Sequence, residues 1–151
     1  MQEVKVRFIK ADPRAQTPTY GSEFAAGADL YAVLDEPLTI EPGKTVMIGT
    51  GLICELPEGY AGLIYARSGL ACKKGLAPAN KVGVVDSDYR GEIKVALHNH
   101  GLEAQQIGPG ERIAQLIITP FIRGLFEESD SLDETDRGEG GFGSSGRFCY
   151  A

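Results

Sequence analysis

The chain is poor in cysteine, with three in 151 residues, and these stand far apart at Cys54, Cys72 and Cys149. No C-x-x-C pair occurs, and the odd number leaves no complete disulfide framework, so the thiols read as reduced in a reducing compartment. Long apolar runs are also missing. Nothing approaches the ~18–20 consecutive apolar residues of a membrane helix, and the opening MQEVKVRFIK lacks the apolar stretch of a secretory signal. The expected location is the cytoplasm, with no membrane partner. Basic residues are outnumbered: 15 Lys and Arg face 21 Asp and Glu, giving a net charge of −6 and a pI of about 4.9. A net-acidic domain lacks the basic footprint that nucleic acid requires. No nucleic-acid partner is expected, although a few local arginines are enough to hold a small anion.

What the chain does have is turn chemistry. Twenty Gly and eight Pro punctuate short runs rich in Val, Ile, Thr and Tyr. The runs are VKVRFI (4–9), ADLYAV (28–33), PLTI (37–40), TVMIGTGLICEL (45–56), YAGLIYA (60–66), KVGVV (81–85), EIKVALHNH (92–100) and RIAQLIITPFI (112–122). Short strands at such spacing predict an all-β sandwich or barrel. A chain of this length buries roughly 70% of its unfolded surface, so one core needs no metal or disulfide. One segment departs from the strand pattern. RSGLACKKG (67–75) has Ser68 as a candidate N-cap, a short apolar turn, two lysines and a closing glycine, which predicts one short helix. Its start would aim backbone N–H groups at Arg67–Gly69, a setting that suits an anion. EESDSLDETD (127–136) carries six acids in ten residues and reads as a solvated linker. The expected organisation is a core over 1–126, the acidic linker over 127–136 and a mobile glycine-rich arm over 137–151.

Several motifs suggest chemistry, each weakly when taken alone. GVVDSDYRGE (83–92) puts Asp86 and Asp88 in a turn between apolar strands. That is ordinary turn chemistry, yet the pair could also bind a cation or one acid could act as a base toward water. His98 and His100 of HNH would share a strand face, but no third ligand lies at a convincing spacing. Asp29 leads into an apolar strand, and Arg112 and Gln115 interrupt another, so each needs a partner or faces a site. In RGEGGFGSSGR (137–147), Gly138, Gly140 and Gly143 spell G-x-G-x-x-G. A dinucleotide fingerprint needs a strand before it, a helix after it and an acid ~20 positions on; here an acidic linker precedes it, and no G-K-[ST] completes a P-loop. The stretch still offers Arg137 for phosphate, Ser144 and Ser145 as donors, and Phe142 to stack on a base.

Read together, five segments carry more than their parts: AGADLYA (26–32), ARSGLACKKGL (66–76), NKVGVVDSDYRGE (80–92), GERIAQLI (110–117) and RGEGGFGSSG (137–146). In this order and spacing they closely resemble the five motifs of the homotrimeric deoxyuridine triphosphatases (dUTPases). The resemblance covers about 17–146. It implies a jelly-roll-like β-barrel, a homotrimer whose active sites are shared between subunits, and hydrolysis of dUTP to dUMP and diphosphate. The implied role is to keep uracil out of DNA and to supply dUMP for thymidylate synthesis. By resemblance Asp86 is the base that activates water for attack on the α-phosphorus. Arg67, Ser68, Gly69 and Gln115 contact phosphates, with Arg112 supporting an interface. Asn80 and the backbone near Gly83, Val84, Val85 and Lys94 read the uracil edge, and Tyr89 packs under the deoxyribose to exclude a 2′-OH. Arg137, Phe142, Gly143, Ser144 and Ser145 close the site from the arm, Phe142 on the base and the others on the phosphates. Mg²⁺ is the implied cofactor, held mainly by the triphosphate, with Asp29 reaching it only through water. Two departures from the family pattern stand out: Ser145 where Thr is common, which keeps the hydroxyl, and Ala66 where Pro is frequent, which bears on loop rigidity. The alternatives are a deaminase acting on the cytosine amino group on a related fold, a non-catalytic nucleotide sensor, and a structural jelly roll.

Overall fold

Alternation of apolar and polar residues places one face of the longer strands against a common core. In the computed structural model, which describes residues 3–141, the strands are β1 (Arg7–Lys10), β2 (Thr19–Tyr20), β3 (Ala28–Tyr31), β4 (Leu38–Ile40), β5 (Thr45–Gly49), β6 (Leu52–Glu55) and β7 (Tyr60–Tyr65). The helix α1 (Ser68–Lys74) follows, then β8 (Leu76–Pro78), β9 (Gly83–Val85), β10 (Lys94–Asn99), β11 (Gln105–Ile107) and β12 (Arg112–Pro120). A five-stranded sheet runs β2-β3-β12-β7-β9, and a three-stranded sheet runs β5-β10-β8. The pairs β1-β6 and β11-β4 complete an all-β, jelly-roll-like fold with one short helix. Every pairing is antiparallel. Strand β10 shows the logic most plainly: Val95, Leu97 and Asn99 are buried while the residues between them are more exposed. Leu30, Ile40, Ile48, Leu52, Leu97, Ile107 and Ile113 sit wholly inside. Truncating one such leucine to alanine costs about 2–5 kcal/mol.

Three differences from the sequence reading have physical causes. The run 45–56 is not one strand, because Gly51 turns at φ 65° between β5 and β6. There the buried Thr50 hydroxyl donates to the Ile93 carbonyl at 2.7 Å. A side chain at Gly51 would also press within 2.8 Å of Ala15 Cβ. Ser68 is the first helical residue rather than the cap. Arg67 occupies the cap position with extended backbone and makes no side-chain cap bond, while Gly75 closes the helix in the left-handed conformation as expected. Finally β2, β8 and β11 span only two or three residues each, too short to give a periodicity. Beyond Pro120, residues 121–136 form no regular element and are exposed. Ile122, Leu125 and Phe126 are 95–98% exposed, so one copy of the chain leaves them uncovered.

Candidate active site

The segment from Asn80 to Lys94 folds back on itself and encloses a cavity. Lys81 takes φ 65°, and Val82 N–H donates to the Asn80 carbonyl at 2.7 Å, so the chain turns tightly into β9. Strand β9 pairs with β7 over Gly62–Ile64. Gly83 lies so close to Ile64 and the Asn80 amide that a Cβ there would come within 3.1 Å of Asn80 Nδ2. After Val85 the Tyr89 N–H donates to the Asp86 carbonyl at 3.2 Å, and the Tyr89 hydroxyl donates to the Glu92 carbonyl at 3.1 Å. The Tyr89 ring covers Gly91, where any side chain would collide with it. Strand β10 then starts at Lys94, opposite Gly49 of β5. Between these walls lies a cavity of about 330 Å³ lined by Asn80, Gly83, Val84, Val85, Asp86, Tyr89 and Lys94, together with Met47, Ile64, Glu92 and Ile93. That volume suits a small molecule. Asp86 stands exposed at its edge, without an ion pair among the described residues. It also borders a wider depression of about 720 Å³ shared with Glu55, Asp88, Arg90 and Arg123.

A second group forms where β3, β12 and the start of α1 meet. Asp29 is buried on β3. Its Oδ1 accepts from Arg67 Nε at 2.7 Å, and its Oδ2 accepts from Arg112 Nη1 at 3.2 Å. This satisfies a carboxylate that burial would otherwise penalise. Gln115, opposite Asp29 in the strand register, donates from Nε2 to the Ala66 carbonyl at 2.8 Å. It lies so tightly over Gly27 that a Cβ there would overlap the Gln115 amide. The arginine at the cap and the Ala66 carbonyl are thus both tied down, which fixes the exposed Ser68 and Gly69. Lys74, at the other end of α1, pairs with Glu111 at 3.0 Å. Burial raises the Glu111 pKa, but the Gly108 N–H and Lys74 outweigh it and hold the carboxyl below its ordinary value.

The structure therefore gathers the sequence candidates into two groups. Asn80, Gly83, Val84, Val85, Asp86, Tyr89 and Lys94 share the cavity. Asp29, Arg67, Arg112 and Gln115 share the paired cluster beside Ser68 and Gly69. Arg137 joins neither and instead donates to the Gly140 carbonyl at 2.7 Å within its own turn. Phe142, Gly143, Ser144 and Ser145 lie outside the described residues. Sequence reasoning passed over Glu92 and Gly91, which shape the cavity, and Gly27 beneath Gln115. A glycine within or beside a strand is the available local signal for such close approach. In HNH the middle residue carries the structural bonds. Asn99 is fully buried and bonds the Ile40 and Glu103 carbonyls and the Gly101 N–H, whereas His98 Nδ1 bonds the Thr45 hydroxyl at 2.8 Å.

Among the described residues no three His, Cys, Asp or Glu side chains converge as a metal cage. Asp29, the metal-side candidate, already has a cation on each oxygen. This donor set fits a divalent ion that arrives on a polyphosphate and touches the protein through water; it does not fit one caged by side chains. Cys54 is buried and Cys72 exposed, both as free thiols; burial raises the Cys54 pKa. No helix among the described residues is long and apolar enough to cross a membrane.

Comparison with known proteins fits this geometry. A protein-family model described as dUTPase matches residues 13–146. The chain is 53% identical over 145 residues to a deoxyuridine 5′-triphosphate nucleotidohydrolase of Desulfitobacterium hafniense, covering 95% of this chain and 96% of that one. It is 48% identical to a protein of the same name from Idiomarina loihiensis, over 96% of this chain and 97% of that one. Among solved structures it superposes on the dUTPase of Staphylococcus bacteriophage 80alpha with dUPNHPP at a TM-score of 0.85 and 27% identity, covering 94% of this chain and 98% of that one.

Proposed function

The chain belongs to the dUTPase family, and from that premise we propose that it hydrolyses dUTP to dUMP and diphosphate. The observation that carries the reading is the cavity: seven candidates separated by up to fourteen positions line one space of about 330 Å³, with a free carboxylate at its edge. Asn80 and the backbone of β9 read the uracil edge. Cytosine, which exchanges an acceptor for a donor, leaves those groups unpaired beneath the base, a mismatch worth ~10⁴-fold or more in specificity. The ring of Tyr89 lies beneath the deoxyribose and leaves no room for a 2′-OH. Asp86 accepts the proton of a water and aligns it with the α-phosphorus, opposite the departing diphosphate.

Arg67 spends its Nε on Asp29, which orients the rest of its guanidinium toward a phosphate. Ser68 and Gly69 offer a hydroxyl and backbone N–H groups beside it. Gln115 gives one amide hydrogen to Ala66 and keeps the other for the phosphates. Mg²⁺ bound to the triphosphate oxygens shields their charge and fixes the conformation of the phosphate chain, with Asp29 reaching its hydration shell through lone pairs its arginines leave. Three copies of the chain assemble so that the cavity of one and the arginine cluster of another face the same substrate. The separation of the two groups and the uncovered Ile122, Leu125 and Phe126 support that assembly. Arg137, Phe142, Gly143, Ser144 and Ser145 then close a neighbour's site, and the enzyme works in the cytoplasm to limit uracil in DNA and to supply dUMP. Diphosphate release from dUTP, dCTP, dTTP and UTP, measured side by side with Mg²⁺, tests the reading. Rapid release from dUTP alone is expected; comparable rates for all four overturn it.

A further inference from the structure

We propose that Glu92 is a positioning residue that seats Tyr89 and Lys94 in the cavity wall, an inference that rests on the dUTP reading above and extends it. The side chain is 29% exposed, and its carboxylate reaches the turn between β5 and β6. Its Oε1 accepts from Gly51 N–H at 2.9 Å, while Oε2 stands 3.5 Å from Lys94 Nζ. It fits there because Gly49 has no side chain; a Cβ at Gly49 would fall on Glu92 Oε1. Gly49 pairs with Lys94 in the strand register, so the carboxylate, the turn and the first residue of β10 are locked together.

The same residue holds Tyr89 from its backbone, because the Tyr89 hydroxyl donates to the Glu92 carbonyl. Gly91 leaves the space through which the ring reaches it. A chain of contacts thus runs from Gly49 and Gly51 through the Glu92 side chain and backbone to the Tyr89 hydroxyl. Its first residue, Gly49, lies forty positions from its last, Tyr89. Losing the Glu92 anchor frees the segment 89–92 to shift, and displacement of about 1 Å in a positioning group can cost up to ~10²-fold. The effect falls on choice of sugar, because Tyr89 is the wall against which a 2′-OH would press.

The test measures kcat/KM for dUTP and UTP in the full-length protein, four single variants and one double variant, with circular dichroism to confirm folding. Glu92→Ala should lower the dUTP preference about tenfold or more, mainly through KM. Gly49→Ala, which does not line the cavity, should lower it in the same direction. Glu92→Gln keeps an oxygen for Gly51 N–H and should stay near the wild type. Tyr89→Phe removes the end of the chain, and combining it with Glu92→Ala should add little, since both break one path. Unchanged preference in both Glu92→Ala and Gly49→Ala overturns the proposal, as does Glu92→Gln falling as far as Glu92→Ala. Wild-type protein that does not favour dUTP at all overturns the underlying functional reading instead.

Discussion

Asp29 lies buried on β3 with an arginine on each oxygen, whereas Asp86 stands exposed after β9 with no ion pair among the described residues. The two carboxylates come from similar sequence settings, an acid at the end of an apolar strand. The fold gives them opposite surroundings. A carboxylate whose lone pairs are engaged by two guanidiniums is a fixed point: it sets where the arginines lie and has little to offer a moving proton. One at the edge of a cavity, free of cations, can accept from water in whatever line the bound substrate sets. The lesson is that the neighbours of a carboxylate, more than its presence in a motif, decide whether it can act on water or hold a scaffold.

Exchanging each acid for its amide breaks the comparison most directly. Asp86→Asn removes the proposed proton acceptor and retains the shape. Turnover is expected to fall by about 10²-fold or more, while dUTP binding and the melting temperature stay close to wild type. Single-turnover kinetics and a thermal melt on the same sample check both halves. Near-normal turnover would take Asp86 out of the base role. Asp29→Asn should do the reverse. It leaves Arg67 and Arg112 facing a neutral amide, and breaking a buried pair costs about 3–5 kcal/mol. Because the two arginine side chains are 27% and 51% exposed, water recovers part of that, and a loss of about 2 kcal/mol is the better expectation. A melting temperature lower by roughly 4–8 °C follows for a domain of this size, with KM for dUTP raised because Arg67 is no longer held. An Asp29→Asn protein that melts like the wild type would show that the arginines do not depend on this carboxylate.

Much of this was legible in the sequence because the signals were local. Strand β10 alternates along its length, and Gly75 marks the end of α1 by its position alone. Asp29, Arg67 and Asp86 stand in segments whose order resembles a family pattern, so they could be named before any contact was known. The missed features are those that exist only between distant segments. Nothing near Glu92 in the chain reveals that its carboxylate will meet the Gly51 N–H forty-one positions earlier. Gly49 and Gly51 read simply as part of an apolar run until the turn at Gly51 separates β5 from β6. Asn99 was overshadowed by two histidines because polarity in a strand names a need for partners and does not say which residue is buried.

The Lys74–Glu111 pair sharpens the comparison from the exposed side. It ties the C-terminal end of α1 as Asp29 ties Arg67 at the other end, but its side chains are 37% and 33% exposed. Pairs so open to water contribute about 0.5–1 kcal/mol. The folded Glu111 pKa lies below its unfolded value, so the folded state holds fewer protons as pH falls through this range. The contribution is therefore complete above the ordinary carboxylate range and is lost as pH falls through the lowered folded value. Glu111→Gln should melt about 1–3 °C below the wild type at pH 7. The gap should narrow as pH falls below the ordinary carboxylate range, where the wild-type carboxyl takes up its proton. A gap that stays constant from pH 7 to pH 3 would mean that Glu111 acts through its shape and its bond to Gly108 N–H, with its charge contributing nothing. The helix would then be held electrostatically at the Asp29 end alone.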